Sequence, residues 1–366
     1  MTSRDLLIWL NSIPGMGGVR TRAVSDYFDS PDRAAGASAD ELMRVQGIGR
    51  KTAQAIAGDD PEAFLEKEKA CAEAELISVC TVEDDEYPES LRSIFDPPSV
   101  LYIKGAILPQ DMIAIAVVGS RRCSVYGKTQ AQKISRSLSM SGMTVVSGCA
   151  VGIDTAAHRA CLEAGGRTIG VVGSGLMQPY PKSNIGLMKT IAESGAVVSE
   201  FHLNQSVERG NFVRRNRVIS GLSLGVVVAE AAKRSGALIT ARYASEQGRD
   251  VFAVPGNVDS PRTKGTHALI RDGARLVETS TDILEELGDI ARYLPETADT
   301  GGEPRKPVSL GRDEEAVYRL IESEPLNIEH LISRSDMNPG TVGSILVMLE
   351  MKNLIKELPG KNYVRT

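Results

Sequence analysis

Apolar positions in the middle of the chain fall in short runs, at 113–118, 144–147, 168–172, 196–199, 225–229 and 250–254, each separated from the next by a stretch with helical spacing. Runs of four to six apolar residues bounded by glycine and turn residues read as strands buried on both faces. Their alternation with helices predicts a doubly wound α/β domain built on a parallel sheet. The pattern changes after residue 310. Helical spacing over 314–321, over 327–333 and from Pro339 onward is followed by two short strand-like runs, 354–358 and 362–365, around Pro359-Gly360. Three helices and a β-hairpin make a winged helix.

The N-terminal part repeats itself. Ile13-Pro14-Gly15-Met16-Gly17 followed by Thr21 to Val24 matches Val45-Gln46-Gly47-Ile48-Gly49 followed by Thr52 to Ile56. In each copy a glycine turn opens a short amphipathic helix, because glycine alone tolerates positive φ at so tight a corner. Two such units resemble a helix-hairpin-helix pair. The domain organisation expected from these patterns is a helical unit over 1–82, a sheet domain over 83–294 whose first part, 83–110, bridges the two, a Pro/Gly-rich linker over 295–310, and the winged helix over 311–366. No apolar run approaches the roughly 18 residues that a membrane span needs, and no basic region followed by an apolar core opens the chain. Cytoplasmic residence is expected.

Charge alters this picture. The net charge of −5 conceals a partition. Residues 1–110 hold 11 Lys and Arg against 19 Asp and Glu, residues 111–278 hold 21 against 12, and residues 279–366 hold 10 against 16. A basic domain inside an acidic protein is the footprint of something that meets phosphates, since neutralising them releases condensed counterions. Five cysteines without C-x-x-C spacing indicate neither a disulfide framework nor a zinc site, and four scattered histidines indicate no metal.

Ligands of open α/β sheets sit beyond the carboxyl ends of the strands. There the chain places Gly119-Ser120-Arg121-Arg122, the loop around Gly148, Gly173-Ser174-Gly175 with Lys182, and Ser235-Gly236 before another helix. These small-residue loops let backbone amides face an anion. The dinucleotide fingerprint G-x-G-x-x-G is absent, so no nicotinamide cofactor is expected. Phe212, Arg214, Arg215, Asn216 and Arg217 put three cations beside an aromatic ring. Unpaired nucleic acid calls for that combination, because cations track the backbone and a ring stacks a base; a core place for Phe212, the commoner fate of a lone Phe, is the competing reading. On a helix Arg214 and Arg217 share a face while Arg215 points elsewhere. In the first hairpin pair, Arg20, Arg22, Arg50 and Lys51 sit in an acidic segment, which favours a packing role over duplex contact.

Taken in order, Gly119-Ser120-Arg121, SGCAVGIDTAAH at 147–158, TIGVVGSGLMQPYPKSN at 168–184, Ser199-Glu200, RNRVISGL at 215–222, EAAKRSGALITARYASEQGRDVFAVPG at 230–256 and the GTHALIRDGA stretch ending at Ala274 resemble the DprA/Smf family. The resemblance implies an extended Rossmann-like domain that binds single-stranded DNA and loads RecA during natural transformation. It implies that Arg121, Lys182 and Arg215 to Arg217 line the DNA pocket, and that the chain dimerises where His267, Ile270 and Leu276 lie. Contact with single-strand-binding protein is left open.

Chemistry is hard to find. Asp154 and His158 stand four apart on a predicted helix, yet no nucleophile motif, metal cluster or carboxylate pair accompanies them. They are expected to organise the loop, and no catalytic turnover and no cofactor are expected. The rival reading is a free-nucleotide sensor or enzyme of the lysine-decarboxylase-like group. That group's PGG-x-GT-x-x-E loop is replaced here by Ser235-Gly236-Ala237-Leu238. Because the third helix of the winged helix has no Lys or Arg from Thr341 to Met351, protein contact is weighed above groove reading there.

Overall fold

A computed structural model describes residues 1–288, 310–321, 326–335, 337–352, 354–358 and 361–365. The expected linker lies outside them except for Leu310, as does the turn at Pro359-Gly360. Two compact bodies divide the chain, the first holding the described residues of 1–123 and 130–288, the second those of 124–129 and 310–365.

Nine strands make one sheet in the first body: β1 (Ile77–Thr81), β2 (Val100–Gly105), β3 (Ala114–Gly119), β4 (Thr144–Ser147), β5 (Thr168–Val171), β6 (Ala196–Ser199), β7 (Gly225–Glu230), β8 (Asp250–Ala253) and β9 (Arg275–Leu276). Their order is β1-β2-β6-β5-β4-β3-β7-β8-β9. All six expected runs are strands, and every pairing among them is parallel. β4 to β7 are buried along their whole length, which is why their sequences read as continuous apolar runs rather than alternating ones. The outermost strands, β1 and β9, are what the pattern did not show. β1 and β2 add an antiparallel margin, β2 pairing with β6, and the two-residue β9 closes the other side.

The chain runs outward from β3 through β4, β5 and β6, then returns to lay β7 on β3's other side. Loops leaving the carboxyl ends of β3 and β7 therefore diverge, and a crevice opens between them. This switch point positions the candidate site.

The helical unit packs on β1 and β2. One apolar cluster joins Leu6, Trp9, Val24, Leu42 and Ile56 to Ile77, Val100 and Tyr102. Residues 77–81, on the N-terminal side of the expected boundary at 82, thus belong to the sheet. Both glycine turns have the left-handed conformation that the repeat implied, Gly15 at φ 86° and Gly47 at φ 84°.

In the second body, helices Arg312–Leu320, Ile328–Ser335 and Pro339–Met351 surround a core of Val317, Leu331, Val342, Leu346 and Tyr363. β10 (Leu326–Asn327), β11 (Ile355–Leu358) and β12 (Asn362–Arg365) pair in the order β10-β12-β11. This is the expected winged helix with one added short strand. Its third helix leaves Val347 and Met348 exposed.

Candidate nucleic-acid interface

A cleft of about 680 Å³ occupies the switch point. Val118 to Arg122 line it from the end of β3, Ala232 and Arg234 to Ala237 from the end of β7, and Arg209, Phe212, Val213, Arg215 and Asn216 from the helix Arg209–Gly221. Ala150 lines it from the loop after β4, and Asp154 from the first turn of the helix Ile153–Glu163.

Glycine is required where these loops meet. Gly152 sits at φ 90°, and a Cβ there would stand 2.4 Å from the Ser120 carbonyl oxygen. A Cβ on Gly119 would stand 2.6 Å from Ile153 Cγ1. Close approach, rather than an open row of amides, is what these glycines supply. Ser120 N donates to Glu230 O at 2.8 Å, Arg122 N to Ser120 Oγ at 3.1 Å, and Gly175 N to Gln205 O at 2.9 Å. Those amides are taken, so the expectation that the first and third loops offer backbone N–H groups to an anion is corrected at these positions. Ser235 Oγ accepts from Ala237 N at 3.4 Å, and Gly236 is the N-cap of the helix Ala237–Glu246. Simple capping accounts for both, although both also line the cleft.

Positive charge enters through side chains instead. Arg121, Arg122, Arg209 and Arg234 are exposed and line the cleft. Arg121 lies over the Phe212 ring, 5.2 Å from its centroid, and the Tyr180 ring stands 5.7 Å from that of Phe212. The result is a short ladder of guanidinium, phenyl and phenol. Lys182 is exposed two residues beyond Tyr180, in the turn Lys182–Asn184, and is outside the cleft wall. Asn184 ties that turn down, its Nδ2 donating to Cys149 O and to Thr155 Oγ1, each at 2.8 Å. Of the residues expected at the pocket, Gly119, Ser120, Arg121, Phe212, Arg215, Asn216, Ser235 and Gly236 come together. Gly148 lies directly beneath Asp154 and Arg215.

Arg214 and Arg217 face the other way. Arg217 is only 4% exposed and pairs through Nη2 with Glu200 Oε2 at 2.6 Å. Its Nε stands 3.2 Å from Asp96 Oδ2, an ion pair without hydrogen-bond alignment. Arg214 Nε reaches the same Glu200 oxygen at 2.8 Å, its Nη1 donates to Met16 O at 3.1 Å, and it lies over the Phe201 ring. The expectation that these two arginines line the DNA pocket is therefore corrected. They share one helix face, as their spacing requires, and that face meets a buried carboxylate and the first glycine hairpin. Asp96 completes the clamp, with Oδ1 accepting from Val19 N at 3.2 Å at the start of the helix Gly18–Tyr27. Glu200 is 1% exposed and could have been suspected from its place at the end of β6, an acid stranded beside apolar residues. Arg122 was placed on this edge together with Arg121, whereas Arg209 and Arg234 were missed because they stand outside the densest cation cluster. Their own signal was position, each lying just past a strand or at the start of a helix on the same sheet edge.

Below the cleft Cys149 Sγ stands 3.7 Å from His158 Nε2, and His158 Nδ1 meets Thr168 Oγ1 at 2.7 Å. A reactive thiol would need a thiolate beside an imidazolium. Here burial pushes the Cys149 thiol up to about 12 and holds the His158 imidazole down at about 3, so both stay neutral at pH 7. Burial also raises Asp154 above the usual carboxylate range, with Arg215 opposing it, and lowers Arg215 from its ordinary value.

His267, Ile270 and Leu276 belong to the β8–β9 side of the sheet. His267 and Ile270 are half-buried on the helix Lys264–Arg271, and Leu276 is exposed on the edge strand β9. No helix among the described residues is long and apolar enough to cross a membrane.

Comparison with known proteins places these features in one lineage. The model of DNA recombination-mediator protein A matches residues 78–288, the DprA winged helix domain residues 302–361, and a SAM-like helix-hairpin-helix tandem residues 6–57. Protein Smf of a Synechocystis species is 33% identical over the full length of both chains. An X-ray structure of DNA processing protein A from Streptococcus pneumoniae, 36% identical, covers 78% of this chain and 98% of its own with a TM-score of 0.68. One from Helicobacter pylori, solved for its single-stranded DNA binding mode, is 27% identical, covers 58% of this chain and 95% of its own, and has a TM-score of 0.52. Sheet, hairpins, winged helix and sequence agree, and the chain belongs to the DNA recombination-mediator protein A family.

Proposed function

We propose that this protein is a non-catalytic mediator that holds single-stranded DNA in the cleft between β3 and β7 and delivers it to RecA during natural transformation. The ladder of Arg121, Phe212 and Tyr180 beside three further exposed arginines carries this reading. Aromatic faces suit bases of any sequence, and guanidinium groups suit a phosphate chain. The Helicobacter relative's single-stranded DNA binding supports it. Delivery to RecA, action in the cytoplasm and exclusion of turnover rest on family membership. Pairing of two copies through His267, Ile270 and Leu276 is inferred from the same source, and the short exposed edge at β9 suits it. Lys182 belongs to the proposed track as its outer cation.

The rival is a free-nucleotide site, since a cleft of this volume also suits one nucleotide. Fluorescence titration separates the two. Affinity for single strands is expected to rise with length from mononucleotide to about 20 residues, to exceed that for duplex, and to fall with salt. Saturation by a mononucleotide at micromolar level, with no gain from longer strands, contradicts the polymer reading.

A further inference from the structure

The loop that leads to Tyr180 is held from behind by the helical unit. Gly173 to Met177 lies against the segment after β6, where Gly175 N donates to Gln205 O at 2.9 Å and Met177 N to Leu203 O at 3.0 Å. The approach is so close that a Cβ on Gly175 would overlap the carbonyl oxygens of His202 and Leu203. At the near end of this loop a Cβ on Gly173 would stand 2.9 Å from Phe212 Cδ1, and beyond its far end the Tyr180 ring meets the same Phe212. Gln205 Nε2 also donates to Glu208 Oε1 at 3.2 Å, and Glu208 is the N-cap of the helix that bears Phe212. Both rings of the ladder therefore lean on residues 202–205.

Those residues are fixed in turn by the helix Pro61–Ala74. Phe64 and Glu68 stand four apart and share one face of it. Glu68 Oε1 accepts from Leu203 N at 2.7 Å, and the Phe64 ring meets the His202 ring edge-on, with centroids 6.1 Å apart. Leu203 is buried in the apolar cluster of the helical unit, against which Leu176 and Met177 also pack. Glu68 is 4% exposed, and no Lys or Arg pairs with it among the described residues. A buried carboxylate without a cation is costly, and an apolar side chain would serve packing alone at less cost. What the carboxylate supplies is direction, because a charge-assisted hydrogen bond to one amide fixes where Leu203 sits.

On the single-strand reading above, we propose that Glu68 and Phe64 are positioning residues for strand binding, acting through residues 202–205 on the Tyr180 and Phe212 rings. The helical unit thereby contributes to affinity without itself touching the strand. Coupling of this kind is reciprocal, so a strand seated on the rings holds residues 61–74 more firmly in place.

The test uses the full-length protein and a 20-residue oligonucleotide of thymidine. Glu68→Ala is expected to bind it about tenfold more weakly with the same salt dependence, because stacking is weakened and no phosphate contact is lost. Glu68→Gln keeps an oxygen for Leu203 N and should stay within about threefold of the unaltered protein. Thermal melts show whether each variant is folded at the assay temperature. In the unaltered protein the strand should slow hydrogen exchange at the Leu203 amide and over residues 61–74 by about threefold or more, a readout that needs no variant to fold. A folded Glu68→Ala variant with unchanged affinity, or exchange over 61–74 and 202–205 that is indifferent to the bound strand, overturns the proposal. Failure of the unaltered protein to bind any single strand instead overturns the reading on which it rests.

Discussion

Glu200→Ala is expected to lower stability by about 3–5 kcal/mol, because it strips two arginines of one buried carboxylate. Arg217 at 2.6 Å and Arg214 at 2.8 Å share Glu200 Oε2, and Arg217 is almost wholly buried. Removing the acid leaves a guanidinium in the interior with, among the described residues, only the Asp96 ion pair at 3.2 Å. Loss of that size moves a thermal midpoint by something on the order of 10 °C in a protein of this size. The weakening should be local first, since Arg214 also holds the Met16 carbonyl and Glu200 O accepts from Asn11 Nδ2 at 2.8 Å. Limited proteolysis is expected to cut earliest in the helical unit. A triple change of Glu200, Arg214 and Arg217 to leucine should recover much of the loss, because apolar residues of similar volume replace a buried ionic group at little cost. A melting temperature unchanged in Glu200→Ala contradicts the clamp.

The second large effect belongs to the cleft. Replacing Arg121, Arg209 and Arg234 together by alanine is expected to weaken single-strand binding on the order of a hundredfold, at roughly 1 kcal/mol for each exposed cation. The slope of log K against log salt should fall by about 2, near 0.7 for each lost phosphate contact on a single strand. All three side chains are exposed and are not held by internal ion pairs among the described residues, so the melting temperature should hardly change. Stability and affinity thus separate the two arginine sets. Changes at Glu200 and Arg217 act on folding, and changes at the cleft act on binding. Unaltered affinity in the folded triple variant contradicts the assignment.

Much of this architecture was readable in the sequence, and the exceptions share a physical cause. Buried strands such as Gly225–Glu230 announce themselves because both faces are covered, so no polar residue interrupts them. Edge strands do not. β9 has two residues, and β1 is a short run interrupted by the exposed Ser78 beside the end of a helix. The arginine cluster at 214–217 was legible as charge and as two helix faces, but not as which face meets the cleft. A helix rotates successive residues by about 100°, so Arg215 enters the cleft floor while its neighbours turn away. What they meet is set by Glu200 at the end of β6 and by Asp96 in the segment before β2, far off in sequence. The first hairpin shows the same limit. Its glycine turn was evident, whereas its carboxylate partner Asp96 could be found only once the chain had folded.

Photocrosslinking tests the central claim most directly. A single-stranded oligonucleotide carrying 5-iodouracil reacts on irradiation with aromatic rings stacked on the base, and peptide mapping then locates the contact. Phe212 and Tyr180 are expected to carry the adducts, at reduced yield in the triple arginine variant. Adducts confined to the helical unit or to the winged helix, with none on Phe212 or Tyr180, contradict a strand held between β3 and β7.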